Sequence, residues 1–117
     1  MKMKAVNDLF ISICRDFSPC PGPRYITEGD NSGQLFRIKH LEPLMKEAIN
    51  NNKKLHVDLD GTAGYGTSFL EEAFGGLIRE AHINYETIIK HLQIKSDEEN
   101  YLVDDIMAYL KDAYNER

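Results

Sequence analysis

One stretch, residues 55–80, constrains the fold of this sequence more than any other. Apolar and polar residues alternate from Leu55 to Asp60, the pattern of a β-strand with one buried face. Three glycines follow within six residues, and apolar residues then recur at helical spacing from Phe69 to Ile78. A strand, a glycine-rich turn and a helix in succession predict an α/β fold in which the turn contacts a ligand or partner.

The other elements follow from the same periodicities. The predicted strands are residues 9–17, 24–27 and 91–95, and the predicted helices are residues 32–51, 84–90 and 97–114. Pro43 predicts a kink near residues 39–42, or two helices end to end. Ser96 and Glu99 have the spacing of a capping box at the start of the last helix. The alternating order predicts a single α/β domain over residues 1–117, with a mixed, mostly parallel sheet of about four strands covered by helices.

Composition excludes several classes of protein. The 117 residues carry a net charge of −5, which argues against a general nucleic-acid binder. No apolar run approaches the ~18 residues that a membrane span requires. The N-terminus, MKMKAVNDLF, lacks the apolar core of a secretory signal. We therefore expect a cytoplasmic protein with Cys14 and Cys20 as reduced thiols, a disulfide being the alternative.

The central turn resembles phosphate-binding loops in spacing only. The segment from Gly61 to Ser68 fits a P-loop, except that Thr67 occupies the position of the lysine that reaches the distal phosphates. Gly64 and Gly66 begin a dinucleotide fingerprint, but its third glycine is absent. Nucleotide or small-anion binding at this turn therefore stays an alternative.

The same stretch gives weak signals for chemistry. The hydroxyls of Thr67 and Ser68 have no histidine placed nearby in sequence to act as a base. His56, Asp58 and Asp60 share a strand face, but side chains two residues apart on a strand are ~7 Å apart, too far for all three to bind one ion. We expect no enzymatic activity, no metal site and no cofactor.

Besides anion binding, nucleophilic catalysis and metal binding, the turn could carry a hydroxyl that is phosphorylated for regulation. Ser68 and Glu71 have the spacing of a capping box, which predicts Ser68 as the helix N-cap. Thr67 would then lie just outside the helix with a free hydroxyl. A phosphate there would meet the positive end of the helix dipole, yet lie close to Asp60 and Glu72. Thr67 is the candidate for phosphorylation.

Residues 57–77, VDLDGTAGYGTSFLEEAFGGL, resemble the STAS domains of anti-sigma-factor antagonists. In those domains a strand ending in D-L-x-G leads through a turn into a D-S-S-G-L motif at a helix N-terminus. Aligned on residues 58–61, the phosphorylated serine of that motif falls on Thr67 and the next serine on Ser68. Gly66 replaces the aspartate of the motif, and Phe69 replaces its glycine.

The sequence is more similar to small bacterial STAS-like proteins of unknown function. Their features are present as PGPRY at residues 21–25, Ser32-Gly33 with Phe36, the VDLDG strand, and GYGTSFL with EAFGGL up to Leu77. This resemblance covers most of residues 9–80 and implies a STAS-like fold. The more distant anti-sigma-factor antagonists work with serine/threonine kinases of the histidine-kinase-like ATPase type, which implies a partner of that kind.

These observations together predict a non-catalytic regulatory domain that binds a partner protein, with partner switching controlled by phosphorylation at the turn. The predicted binding turn and helix cap comprise Gly61, Gly64, Tyr65, Gly66 and Ser68. The predicted partner surface comprises Asp60, Glu71, Glu72 and Arg24. A negative charge on Thr67 is expected to weaken partner binding by adding to those carboxylates.

Overall fold

The structure is a computed structural model that describes residues 7–116. The expected absence of a signal sequence concerns mainly residues 1–6, which lie outside the described residues. Three strands, β1 (Leu9–Ser12), β2 (Leu55–Asp58) and β3 (Leu92–Lys95), form a parallel sheet in the order β1-β2-β3. The prediction that the strand starting at Leu55 is central is confirmed, because β2 pairs with both neighbours.

Helices follow the strands, as the sequence predicts. Their bounds are α1 Gly33–Phe36, α2 Glu42–Asn50, α3 Thr67–Leu70, α4 Gly76–Arg79, α5 Tyr85–His91 and α6 Tyr101–Asn115. Two π-helical segments, Arg37–Leu41 and Glu71–Gly75, join α1 to α2 and α3 to α4. Residues 33–50 and 67–79 are therefore two continuous helical stretches, each widened in the middle.

The predicted strand at residues 9–17 is too long, and the predicted strand at residues 24–27 is absent. β1 ends at Ser12, whose hydroxyl accepts a hydrogen bond from the Arg15 amide, so residues 13–17 form a π-helical turn. Residues 24–27 form no strand, because their backbone bonds to α1 instead: the Gly33 amide donates to the Pro23 carbonyl and the Gln34 amide to the Arg24 carbonyl. The described residues therefore contain three parallel strands instead of about four mixed ones.

The irregularity predicted from Pro43 is present as a π-helical turn. Pro43 lies in the first turn of α2, directly after a wider turn, and has no amide hydrogen to donate to the carbonyls of the preceding turn. The preceding segment, Arg37–Leu41, carries the wider turn, in which the Glu42 amide donates to the Arg37 carbonyl. The helix thus continues past the proline without ending.

One face of the sheet lies on the hydrophobic core. Leu55 and Val57 are fully buried there, and Phe36, Phe69 and Phe74 cover them from the helices. Helix α1 crosses α3 at short range, since a Cβ on Gly33 would collide with the Phe69 carbonyl.

The opposite face of the sheet is open. Phe10, Gln93 and Lys95 are exposed there, and the Phe10 ring stacks on His56 with centroids 4.4 Å apart. Parallel sheets are normally covered on both faces, so this face is unusual. A shallow pocket of about 180 Å³ lies on it, between Phe10 and Lys95.

Candidate functional site

The turn after β2 is held from both sides by backbone and side-chain bonds. On one side the Ala63 amide donates to the Pro19 carbonyl at 2.9 Å, and the Cys14 thiol donates to the Gly61 carbonyl at 3.2 Å. On the other side the Gly61 amide donates to the Glu98 carboxylate at 2.9 Å. The turn is therefore a fixed part of the fold.

Glycine is required at two positions of this turn. Gly61 has φ +94° and Gly64 has φ +137°, both in the region that residues with a Cβ rarely adopt. Gly66 has ordinary extended geometry and is the N-cap of α3.

Tyr65 fixes the turn to the end of the central strand. Its hydroxyl donates to the Leu59 carbonyl at 2.6 Å, and its ring packs against Phe69 with centroids 5.8 Å apart. Burial raises the pKa of Tyr65, so the phenol stays protonated at physiological pH. Tyr65 is thus a structural residue of the predicted binding turn.

The predicted cap at Ser68 is wrong. The N-cap lies two residues earlier than predicted: Gly66 is the N-cap, no side chain caps it, and Thr67 is the first helical residue instead of lying just outside. Glu71 does not complete a capping box, because its carboxylate binds Arg24 and Arg79. Thr67 is exposed on the first turn and Ser68 is partly buried.

Asp60 is not a free member of the predicted partner surface. Its carboxylate accepts hydrogen bonds from the amides of Asp97 and Glu98 at 3.1 and 3.0 Å, and from the Lys95 ammonium at 2.8 Å. The hydrogen bond from Lys95 and those from the two amides lower the pKa of Asp60. Asp60 therefore joins the end of β2 to the segment before α6.

The last helix starts later than predicted, and its predicted capping box is absent. The amides of Asp97 and Glu98, which follow Ser96, donate to Asp60. The Ser96 hydroxyl donates to the Glu99 carbonyl at 2.7 Å instead of accepting from an amide. Helix α6 begins at Tyr101.

Arg24, Glu71 and Arg79 form a partly buried ion cluster beside α3. The Arg24 guanidinium donates to Glu71, and so does Arg79, which reaches both carboxylate oxygens. Burial opposes ionisation of Glu71, but the hydrogen bonds from Arg79 and Arg24 outweigh it and lower the pKa of the carboxyl. The structure thus brings together three residues of the predicted partner surface, because Arg24 binds Glu71 and also lies 3.4 Å from the Glu72 carboxylate.

Glu72, also predicted on the partner surface, is buried. Only 5% of its side chain is exposed, and the carboxylate pairs with Arg37, whose side chain is 4% exposed. Arg37 also donates to the Glu72 carbonyl at 3.0 Å and to the Glu42 carboxylate at 2.8 Å. Glu72 is therefore an interior ion-pair residue, and its assignment to the surface is wrong.

Arg37 is the important residue that sequence reasoning missed. The only signal for it is an arginine next to the buried Phe36 in a helix that has exposed positions available for charge. Its partner becomes visible only when α1 and the segment after α3 are packed together. A Cβ on Gly76 would collide with the Arg37 guanidinium, so this glycine makes room for the ion pair.

Backbone amides of the turn that could bind an anion are already hydrogen-bonded within the protein. The amides of Gly61, Ala63 and Gly64 already donate to Glu98, Pro19 and Thr62. Residues 7–116 hold no group of three or more histidine, cysteine or acidic side chains arranged for a metal ion. Across the same residues, no helix has the length and apolar character needed to cross a membrane.

A parallel sheet with a fixed glycine-rich turn between its central strand and the following helix is consistent with a STAS-like α/β domain. The family comparison agrees: a model described as STAS-like domain of unknown function (DUF4325) matches residues 32–102. This match spans more than half of the 117 residues, and the chain belongs to that family. The chain matches no curated protein and no solved structure.

Proposed function

We propose that this STAS-like domain is a non-catalytic, cytoplasmic regulatory module that binds a partner protein through the surface around Thr67. The observation that carries the proposal is the position of Thr67 itself: it is exposed on the first turn of α3, next to the exposed backbone of Gly66. A hydroxyl in that place is open to a kinase, and neither the sheet nor the core depends on it.

Phosphorylation of Thr67 is proposed as the control. Ala63 and Gly66, which precede Thr67, are exposed and have little or no side chain. A partner can therefore approach Thr67 closely. A phosphate would add bulk and up to two negative charges. The water molecules that hydrate these charges must be removed when the partner docks, which costs free energy. We therefore expect the modified form to bind the partner more weakly.

The neighbouring ion cluster makes such control compatible with folding. Arg24 and Arg79 neutralise Glu71, which lies one helical turn after Thr67. Asp60 is neutralised by Lys95. A phosphate on Thr67 would meet paired carboxylates, so the expected repulsion within the domain is small.

The resemblance to anti-sigma-factor antagonists suggests the kind of partner, a serine/threonine kinase of the histidine-kinase-like ATPase type. Nucleotide or small-anion binding at the Gly61–Ser68 turn is the competing function. It has less support, because three amides of the turn are already bonded and two aspartates precede it. Calorimetry with ATP, GTP and a cyclic nucleotide separates the two functions, and we expect no binding.

Affinity capture from the native cell tests the proposal. The baits are the wild type, Thr67→Glu, and Gln93→Glu as a matched control that adds the same charge on the open face of the sheet. We expect wild type and Gln93→Glu to retain the same partner and Thr67→Glu to lose most of it. If all three baits retain it equally, control at Thr67 is excluded.

A further inference from the structure

Three large apolar side chains lie exposed near the candidate site. Tyr25, Ile26 and Ile38 are 44%, 47% and 48% exposed. The Ile26 amide donates to the Gln34 side chain at 2.9 Å, and Ile38 follows Gln34 by one helical turn. We call these three residues the apolar patch.

The apolar patch is connected to Thr67 by a chain of contacts. The Arg24 guanidinium lies 5.9 Å from the centre of the Tyr25 ring. The same guanidinium binds Glu71, which is one turn from Thr67 on the helix. The patch and the proposed modification site therefore belong to one continuous surface.

Two acidic residues follow Tyr25 and Ile26 closely in the chain, and the carboxylate of the first, Glu28, accepts a hydrogen bond from the Tyr25 amide at 2.9 Å. Glu28 and Asp30 are exposed, and in the described part of the chain neither forms an ion pair with lysine or arginine. Lys39 is a cation next to Ile38 in sequence, so the rim keeps an excess of negative charge. The chain as a whole also carries a net charge of −5.

We infer that the apolar patch is a docking site for a basic amphipathic segment of a partner protein. Apolar side chains of that segment pack on Tyr25, Ile26 and Ile38, and its lysines or arginines face Glu28 and Asp30. Tyrosine is among the residue types that carry most of the binding energy at interfaces. Opposite charges at the rim accelerate association and make it dependent on salt.

The other exposed aromatic side chains, Phe10, Tyr101 and Tyr114, are less suited to this role, and the Tyr101 hydroxyl donates to Glu99 at 2.7 Å. Phe10 stacks on His56, and Tyr114 stacks on Tyr85 with centroids 4.9 Å apart. The charges around Phe10 balance, with Arg15 and Lys95 against Asp16 and Asp58, whereas negative charge is in excess at the apolar patch. Charge complementarity therefore favours the apolar patch. The inference rests on the proposed function, since it names where and what kind of partner binds.

The test is an NMR titration of the isotope-labelled full chain with two synthetic amphipathic peptides. One is built of leucine and lysine, and the other has glutamate in place of every lysine. We expect the lysine peptide to shift the amide signals of Tyr25, Ile26 and Ile38, and the glutamate peptide to leave them unchanged. Equal binding of both peptides, or shifts centred on Phe10, would overturn the inference.

Variants separate the patch from non-specific attraction to an acidic protein. Ile26→Ser should weaken binding of the lysine peptide by about fivefold or more, whereas Ile89→Ser, an exposed isoleucine on α5, serves as the matched control. Replacing Glu28 and Asp30 with their amides should weaken binding and reduce its salt dependence. Unchanged binding in both the Ile26 and the amide variants contradicts the inference.

The outcomes also distinguish the inference from the proposed function. If the lysine peptide binds at the patch while Thr67→Glu keeps its cellular partner, the docking site stands and control at Thr67 fails. If Thr67→Glu loses the partner while the peptide binds elsewhere, the proposed function stands and the docking site is wrong.

Discussion

Arg37 and Glu72 form an ion pair in the interior of the protein, with 4% and 5% of their side chains exposed. Each residue lies in a π-helical segment, Arg37–Leu41 or Glu71–Gly75. π-Helical turns inside α-helices are often found at functional sites, and here two of them meet at a buried charge pair. The pair connects the helical stretch before β2 with the one that begins at Thr67.

Removing the cation should be strongly destabilising. Arg37→Met leaves the Glu72 carboxylate buried without its principal partner, which typically costs ~3–5 kcal/mol. Arg24→Met is the comparison variant, because Arg24 is partly exposed, binds mainly Glu71 and lies 3.4 Å from the Glu72 carboxylate, so we expect a smaller loss. Denaturant unfolding of both variants measures the difference. Equal losses would mean that the buried pair has no special role.

Gly76 is predicted to be intolerant of a side chain. The methyl group in Gly76→Ala would collide with the Arg37 guanidinium, so we expect a loss of ~1–3 kcal/mol. In an Arg37→Met background the added cost should be smaller, because the colliding group is absent. A double-mutant cycle by chemical unfolding measures this coupling. Strict additivity would contradict the contact.

The N-termini of α1 and α3 give a prediction about the stability that side-chain helix caps contribute. The Ser32 hydroxyl accepts a hydrogen bond from the Leu35 amide at 3.0 Å, so Ser32→Ala should cost ~1 kcal/mol. Ser68→Ala should cost less than about 0.5 kcal/mol, because Gly66 occupies the cap position. Thermal unfolding of the two variants measures which loses more stability. A larger loss for Ser68→Ala would show that Ser68 is the N-cap, as the sequence predicts.

Asp60 should contribute to the stability of the fold at neutral pH. Its pKa is lowered in the folded protein by Lys95 and by the Asp97 and Glu98 amides, so its contribution is present above the ordinary carboxyl pKa of about 3.9. That contribution is lost as the pH falls through the folded pKa. We expect Asp60→Asn to be less stable than wild type at pH 7 and to lose less stability on acidification.

Melting temperatures from neutral pH down to about pH 2 test this prediction. Asp104→Asn on α6 is the matched control, because Asp104 is exposed and takes no part in the junction between β2 and the segment before α6. Parallel pH profiles for wild type and Asp60→Asn would show that the junction is energetically unimportant.

The sequence predicts well those features that depend on local periodicity. Burial of Leu55, Val57 and Leu59 follows from alternation along one strand, and burial of Phe74 follows from helical spacing; all are confirmed. The resemblance to STAS-like proteins of unknown function is likewise confirmed by the family model over residues 32–102.

Features set by distant partners could not be predicted in this way. The capping box at Ser96 has the correct local spacing, yet Asp60 reaches across from another element and takes the amides that begin that segment. Glu72 looks like a surface residue until Arg37 is placed opposite it. In both cases a long-range ionic group overrides a local pattern.

The proposed control at Thr67 is tested most directly on the protein isolated from its native cell. Size-exclusion chromatography separates the free chain from its complexes, and mass spectrometry then measures the fraction of Thr67 that carries phosphate in each pool. We predict phosphate on Thr67 in the free pool and strong depletion in the complex. Equal occupancy in both pools, or no phosphate on Thr67 in either, would contradict this account.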